Sequence, residues 1–266
     1  MKNITMHVLT KMAIIFFLYF LVYYTFQGFI TIPQKGDGLD YHIPIAKFIL
    51  YGQFLNPIVE RPQQYYPGSS EAILSVFMLF NIPLNLSNVL AWVILLFSTW
   101  YLGRIFGLKK MYALLFAITI CTLNAIMRWL NAPNIDLWLS IFFILCIILL
   151  ERPVKKVSYF LKLGFVFGML IGTKYTGVFF GLVLFIFYIK SLIKYINFRN
   201  ILAFIIPFSI LGLFWYVRNF ILMANPFYPM HVLFFKGALE FPDRVWSIFL
   251  RYPIQQINAF ISTANK

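Results

Sequence analysis

The sequence is short of charge, and of acidic charge above all. Only 11% of its 266 residues are Asp, Glu, Lys or Arg, against about 25% in an ordinary soluble domain. That scarcity, set beside abundant aromatics, excludes intrinsic disorder. Two cysteines are too few for a disulfide framework or a cysteine zinc cluster. Eight acids against 22 basic residues leave a net charge of +14. Such a surplus would suggest nucleic acid, but the rest of the composition excludes that partner. Hydrophobic residues make up 62% of the chain, and Phe alone occurs 32 times. Mean hydropathy is +0.83. A soluble fold of this length has too small a core to hide so much apolar surface. The basic residues are read instead as flanks of membrane helices. The expected fold class is all-α, a polytopic membrane protein.

A membrane span needs about 20 apolar residues. Runs at 12–32, 86–106, 111–130, 135–150, 157–173, 175–189 and 201–223 predict seven spans. The fifth and sixth are the weakest, because Gly172 and Lys174 interrupt them. The first run is too long for a signal peptide and has no small-residue cleavage site, so it is read as a retained helix. Between the first two spans lies a long polar loop, 33–85, with four of the eight acids. Within it, 40–53 predicts a short amphipathic helix, with Pro44 tolerated in its first turn. The apolar stretch 71–80 is too short for a span and suits an interfacial helix.

The positive-inside rule orients this plan. With the N-terminus in the cytoplasm, Lys2, Lys11, Arg104, Lys109, Lys110, Arg152, Lys155, Lys156, Lys190, Lys194 and Arg199 all fall inside. Of the acids, only Glu151 joins them. Asp37, Asp40, Glu60, Glu71, Asp136, Glu240 and Asp243 fall at or beyond the outer ends. The expected localisation is therefore a cell membrane, multi-pass, with any polar site facing outward. Residues 1–230 form the transmembrane domain and 231–266 an outer-face segment.

Five polar constellations share that outer face. Gly36 to Pro44 carries Asp37, Asp40 and His42, a set suited to a divalent cation or a general base. Equally, Asp40 is a helix cap and Asp37-Gly38 a turn. Gln64 to Glu71 reads as a pocket-lining loop or as a turn with interfacial aromatics, Tyr66 among them. Arg128 to Asp136 ends on an acid at a helix start, either functional or simply favoured by the helix dipole. Gly172 to Gly177 holds Lys174, which either snorkels or meets an anion. Trp215 to Asn219 places Arg218 against the positive-inside bias, which favours an anionic partner.

Taken in order, Asp37-Gly-Leu-Asp-Tyr-His-Ile-Pro44, Tyr65-Tyr-Pro-Gly-Ser-Ser-Glu71, Asn131-Ala-Pro-Asn-Ile-Asp-Leu-Trp138, Gly172-Thr-Lys-Tyr-Thr-Gly177 and Trp215 to Pro229 resemble GT-C glycosyltransferases. These are integral-membrane enzymes related to protein O-mannosyltransferases and the aminoarabinose transferase of lipid A. The resemblance implies transfer of a sugar from a polyprenyl-phosphate carrier to a lipid or polymer acceptor on the outer face. It implies Asp37, four residues before Tyr41-His42, as the base, with Asp40 as its alternative and Asp136 in support. His42, Tyr66 and Glu71 would line the substrate site, and Lys174 and Arg218 would hold the carrier phosphate. Some members use a divalent metal and others none; Asp37 and Asp136 would be its ligands here. Members usually continue with several more membrane helices, so the expectation is an N-terminal part of such an enzyme. Two other functions compete: a transporter or lipid flippase without chemistry, and a degenerate scaffold.

Overall fold

A computed structural model describes residues 2–33, 36–58, 61–232 and 234–238. The described chain is all-α, with no strand among the described residues. Glu60, Glu240, Asp243 and most of the 231–266 segment lie outside the described residues.

The helices are α1 (Lys2–Ile30), α2 (Ile43–Leu50), α3 (Glu71–Leu79), α4 (Asn85–Ile105), α5 (Lys110–Cys121), α6 (Asn124–Met127), α7 (Asp136–Glu151), α8 (Val157–Thr173), α9 (Tyr175–Ile193), α10 (Phe198–Phe208) and α11 (Phe214–Met223). Four stretches are long and apolar enough to cross a membrane: Met6–Ile30, Asn85–Ile105, Tyr175–Ile193 and Phe198–Met223. Three other predicted runs hold shorter helices, α5, α7 and α8.

The surface explains why so many apolar residues are needed. Helix α1 buries only 11% of its most apolar stretch, with Ile15, Val22 and Phe26 exposed. In water such a face invites association; against lipid tails it is at home. Helix α4 is the central element, packed on α1, α5 and α7. Its Trp92 is fully buried, stacked on Phe17 at 4.2 Å between centroids. The Trp92 indole donates to the Cys121 carbonyl at 2.8 Å.

That bond bears on a difference from the predicted helix over 111–130. Helix α5 ends at Cys121. The Cys121 carbonyl faces Trp92, and the Thr122 hydroxyl turns back to the Ile118 carbonyl at 2.9 Å. The chain beyond is a short turn, α6, and then an irregular run. Asn88 ties that run down by donating to the Trp129 carbonyl at 2.9 Å and the Ala132 carbonyl at 2.5 Å.

Helix α8 lies along α10 and the stretch Ser209–Leu213 that follows it at very close range. A Cβ added at Gly164 would stand 2.1 Å from the Phe204 carbonyl oxygen, and one at Gly172 2.1 Å from that of Leu211. Small residues every fourth position let helix backbones approach in this way. Pro207 and a π-helical stretch, Ser209–Leu213, carry the chain from α10 into α11. Both are known sites of local helix distortion.

The described residues of 33–85 include two short helices, α2 and α3, and α2 starts later than the predicted 40. A π-helical turn, Gly38–His42, precedes it. Helix α2 packs on α3, and the Ser75 hydroxyl of α3 donates to the Ala46 carbonyl at 2.8 Å.

Candidate functional site

The site is built around the break between α8 and α9. Lys174 is extended there, with φ −159° and ψ 152°. The loop before α3 plugs into this break. Ser69 donates its backbone N–H to the Gly172 carbonyl at 2.8 Å. Ser70 shares a hydrogen bond with the Thr173 hydroxyl at 2.6 Å. The Trp215 indole donates to the Ser69 hydroxyl at 2.8 Å. Three of the five constellations thus meet at one point.

A fourth and a fifth join from the other side. Asp136 opens α7, and its Oδ1 accepts from Lys174 Nζ at 2.9 Å. Both side chains stay about 40% exposed, at 38% and 40%. Gly38 packs on Pro133, which sets the turn holding Asp37 against the loop before Asp136. The Tyr41 hydroxyl donates to Asp37 Oδ2 at 3.1 Å. Tyr41 meets Tyr66 edge to face at 5.7 Å, and Tyr66 meets Tyr175 in the same way at 6.0 Å.

The electrostatics bind these groups into one patch. Burial, then the Asp37 charge, holds the Tyr41 phenol well above its ordinary range, with Asp136 and Glu71 adding to the effect. Tyr66 is raised for the first two of these reasons. Both phenols therefore remain protonated donors near neutral pH. Behind Tyr41, His42 Nδ1 and Glu71 Oε1 lie 2.8 Å apart, at 2% and 1% exposure. Burial raises the Glu71 carboxyl, against the opposing pull of His42 and, more weakly, of Lys174. Glu71 Oε2 is buried with no hydrogen-bond partner among the described residues.

Two predicted site residues stand apart from this set. Asp40 is exposed and caps no helix; its side chain makes no hydrogen bond among the described residues. Arg218 is 5% exposed and occupied by protein groups. It donates to the Phe54 carbonyl at 3.1 Å, the Gln64 carbonyl at 3.3 Å and Asn219 Oδ1 at 2.8 Å. Its guanidinium also lies 4.9 Å from the Trp215 ring centroid. The arginine anchors the 33–85 loop to α11. Asn219, which sequence reading passed over, works beside it. It donates to the Tyr65 carbonyl at 2.8 Å and the Tyr228 carbonyl at 3.1 Å. The one signal for Asn219 was its place next to the unexpected arginine.

Among the described residues no group of three or more His, Cys, Asp or Glu side chains is placed to hold a metal ion. Lys174 already gives Asp136 the positive charge that a cation would bring. These residues do not fit a divalent site unless the lysine is displaced.

An apolar groove of about 650 Å³ runs between α8, α9, α10 and α11, lined by Phe167, Ile171, Phe204, Phe208, Tyr216 and Phe227 among others. Tyr216 and Phe227 touch Tyr175, at 5.9 and 6.1 Å between ring centroids. Tyr175 in turn touches Tyr66, so one end of the groove meets the polar patch. Comparisons with family models, with curated proteins and with solved structures gave no match.

Proposed function

We propose that this chain is a GT-C type glycosyltransferase. It moves a sugar from a polyprenyl-phosphate carrier to an acceptor hydroxyl on the outer face of a cell membrane. The proposal includes seven spans with a cytoplasmic N-terminus, α5, α7 and α8 being the three shorter ones. One observation carries the reading: Asp37, Tyr41, Tyr66, Asp136 and Lys174, from four separate segments, share a half-exposed patch at the mouth of an apolar groove. A polar reaction centre beside a chain-length apolar slot is what an amphipathic carrier needs.

The chemistry follows from the roles these groups can fill. The acceptor oxygen bonds to the anomeric carbon while the bond from that carbon to the carrier phosphate breaks. The electron pair leaves with the phosphate oxygen. The acceptor proton passes to the Asp37 carboxylate, which Tyr41 holds in place. Lys174 swings from Asp136 to the departing phosphate and offsets its charge. No step needs a metal.

Purified full chain, offered a panel of polyprenyl-phosphate sugars, is expected to transfer sugar, and Asp37→Asn to abolish it. Undiminished transfer by Asp37→Asn would sink the assignment of the base. A second reading, a lipid flippase without chemistry, draws on the helix break at Lys174, since broken helices recur in transporters. It predicts movement of labelled carrier across vesicles with no new glycosidic bond.

A further inference from the structure

A second groove, separate from the candidate site, lies between α7 and α8. Its volume is about 520 Å³, and its lining includes Leu145, Ile148, Leu149, Leu161 and Phe165. Lys162 is the single charged residue in that lining. Among the described residues Lys162 makes no ion pair or hydrogen bond. Side chains on a helix lean toward its N-terminus, and for Lys162 that is the end of α8 joined to α7. A lysine stem lying on apolar surface with its head drawn to the polar boundary is the ordinary snorkelling arrangement.

That boundary is strongly basic. Arg152, Lys155 and Lys156 occupy the connection between α7 and α8, all exposed. Its one acid, Glu151, accepts a hydrogen bond from the Tyr188 hydroxyl. An apolar slot lined by one lysine without a partner among the described residues, between two helices whose connection carries three more cations, matches one occupant. We infer that this groove binds an anionic phospholipid of the leaflet on that side, one acyl chain along α7 and α8 and the phosphate at Lys162. The apolar walls would accept any lipid; the cations select the charged headgroup. The inference rests on the proposed placement of α7 and α8 in the membrane and not on the proposed transfer reaction, with which it shares no residue.

The test uses the full chain in detergent, titrated with dioleoylphosphatidylglycerol or dioleoylphosphatidylcholine and read by lipid retention in native mass spectrometry. The glycerol lipid is expected to be retained and the choline lipid not. Lys162→Gln should weaken that retention about fivefold, the worth of one cation at the membrane surface. Lys190→Gln, an exposed cation off the groove, should leave it unchanged. Equal retention of both lipids, retention of neither, or wild-type retention by Lys162→Gln would each overturn the inference.

Discussion

At the scale of residues, the candidate site separates groups that hold the fold from groups free to act. The Lys174–Asp136 pair is more than a third exposed on both sides, and such pairs contribute little stability. Lys174→Gln is therefore expected to change unfolding stability by less than about 1 kcal/mol. The same variant should lose sugar transfer at least about a hundredfold, if the lysine neutralises the leaving phosphate. Thermal unfolding and transfer rate measured on one preparation separate the two effects. Glu71 is the opposite case, buried and raised from its usual 4.5 by desolvation. A carboxyl raised in the folded state favours folding while it is protonated, and that contribution is lost as pH rises. Wild-type melting temperature should fall as pH climbs from about 4.5. Glu71→Gln should flatten that slope, and a slope unchanged in Glu71→Gln would assign it to other groups.

At the scale of elements, the 33–85 loop and the α8–α10 contact carry the architecture. Helix α8 meets α10 through Gly164, with the Phe204 backbone opposite, and through Gly168, with Pro207 and Phe208 backbone and the Leu211 Cβ opposite. A carbonyl 2.1 Å from a new Cβ cannot step aside as a flexible side chain would. Gly164→Val is expected to cost about 2–3 kcal/mol of stability, in the range of an overpacked core, measured by thermal unfolding in detergent. The glycine spacing was visible in the sequence, but spacing alone does not say which helix lies opposite. Helix positions were legible because long apolar runs leave little choice. The end of α5 was not, because Trp92 on another helix reaches its last carbonyl.

At the scale of the whole molecule, the proposed seven-span plan sets a direction that can be tested. The basic connections at 104–110, 152–156 and 190–199 and the patch at Asp37, Asp136 and Lys174 fall at opposite ends of the predicted spans. Single cysteines at Lys155 and at Asp40, in a background with Cys121 and Cys146 replaced, should label from opposite sides of the membrane. A membrane-impermeant thiol reagent on intact cells is expected to reach position 40 and not 155. Labelling of both from one side would break the seven-span plan.

The sequence by itself determined that the chain is helical, apolar enough for a membrane and polar at five short strings. Those conclusions rest on composition and run length, which local chemistry imposes wherever the chain folds. Only the tertiary structure decided which of the polar residues meet. Asp136 pairs with Lys174 across 38 positions, and His42 with Glu71 across 29. The same packing left Asp40 outside the linked set and turned Arg218 inward onto the loop carbonyls. Partners so distant in sequence are chosen by how helices stack, through contacts such as Gly164 on Phe204, and no local pattern encodes that choice.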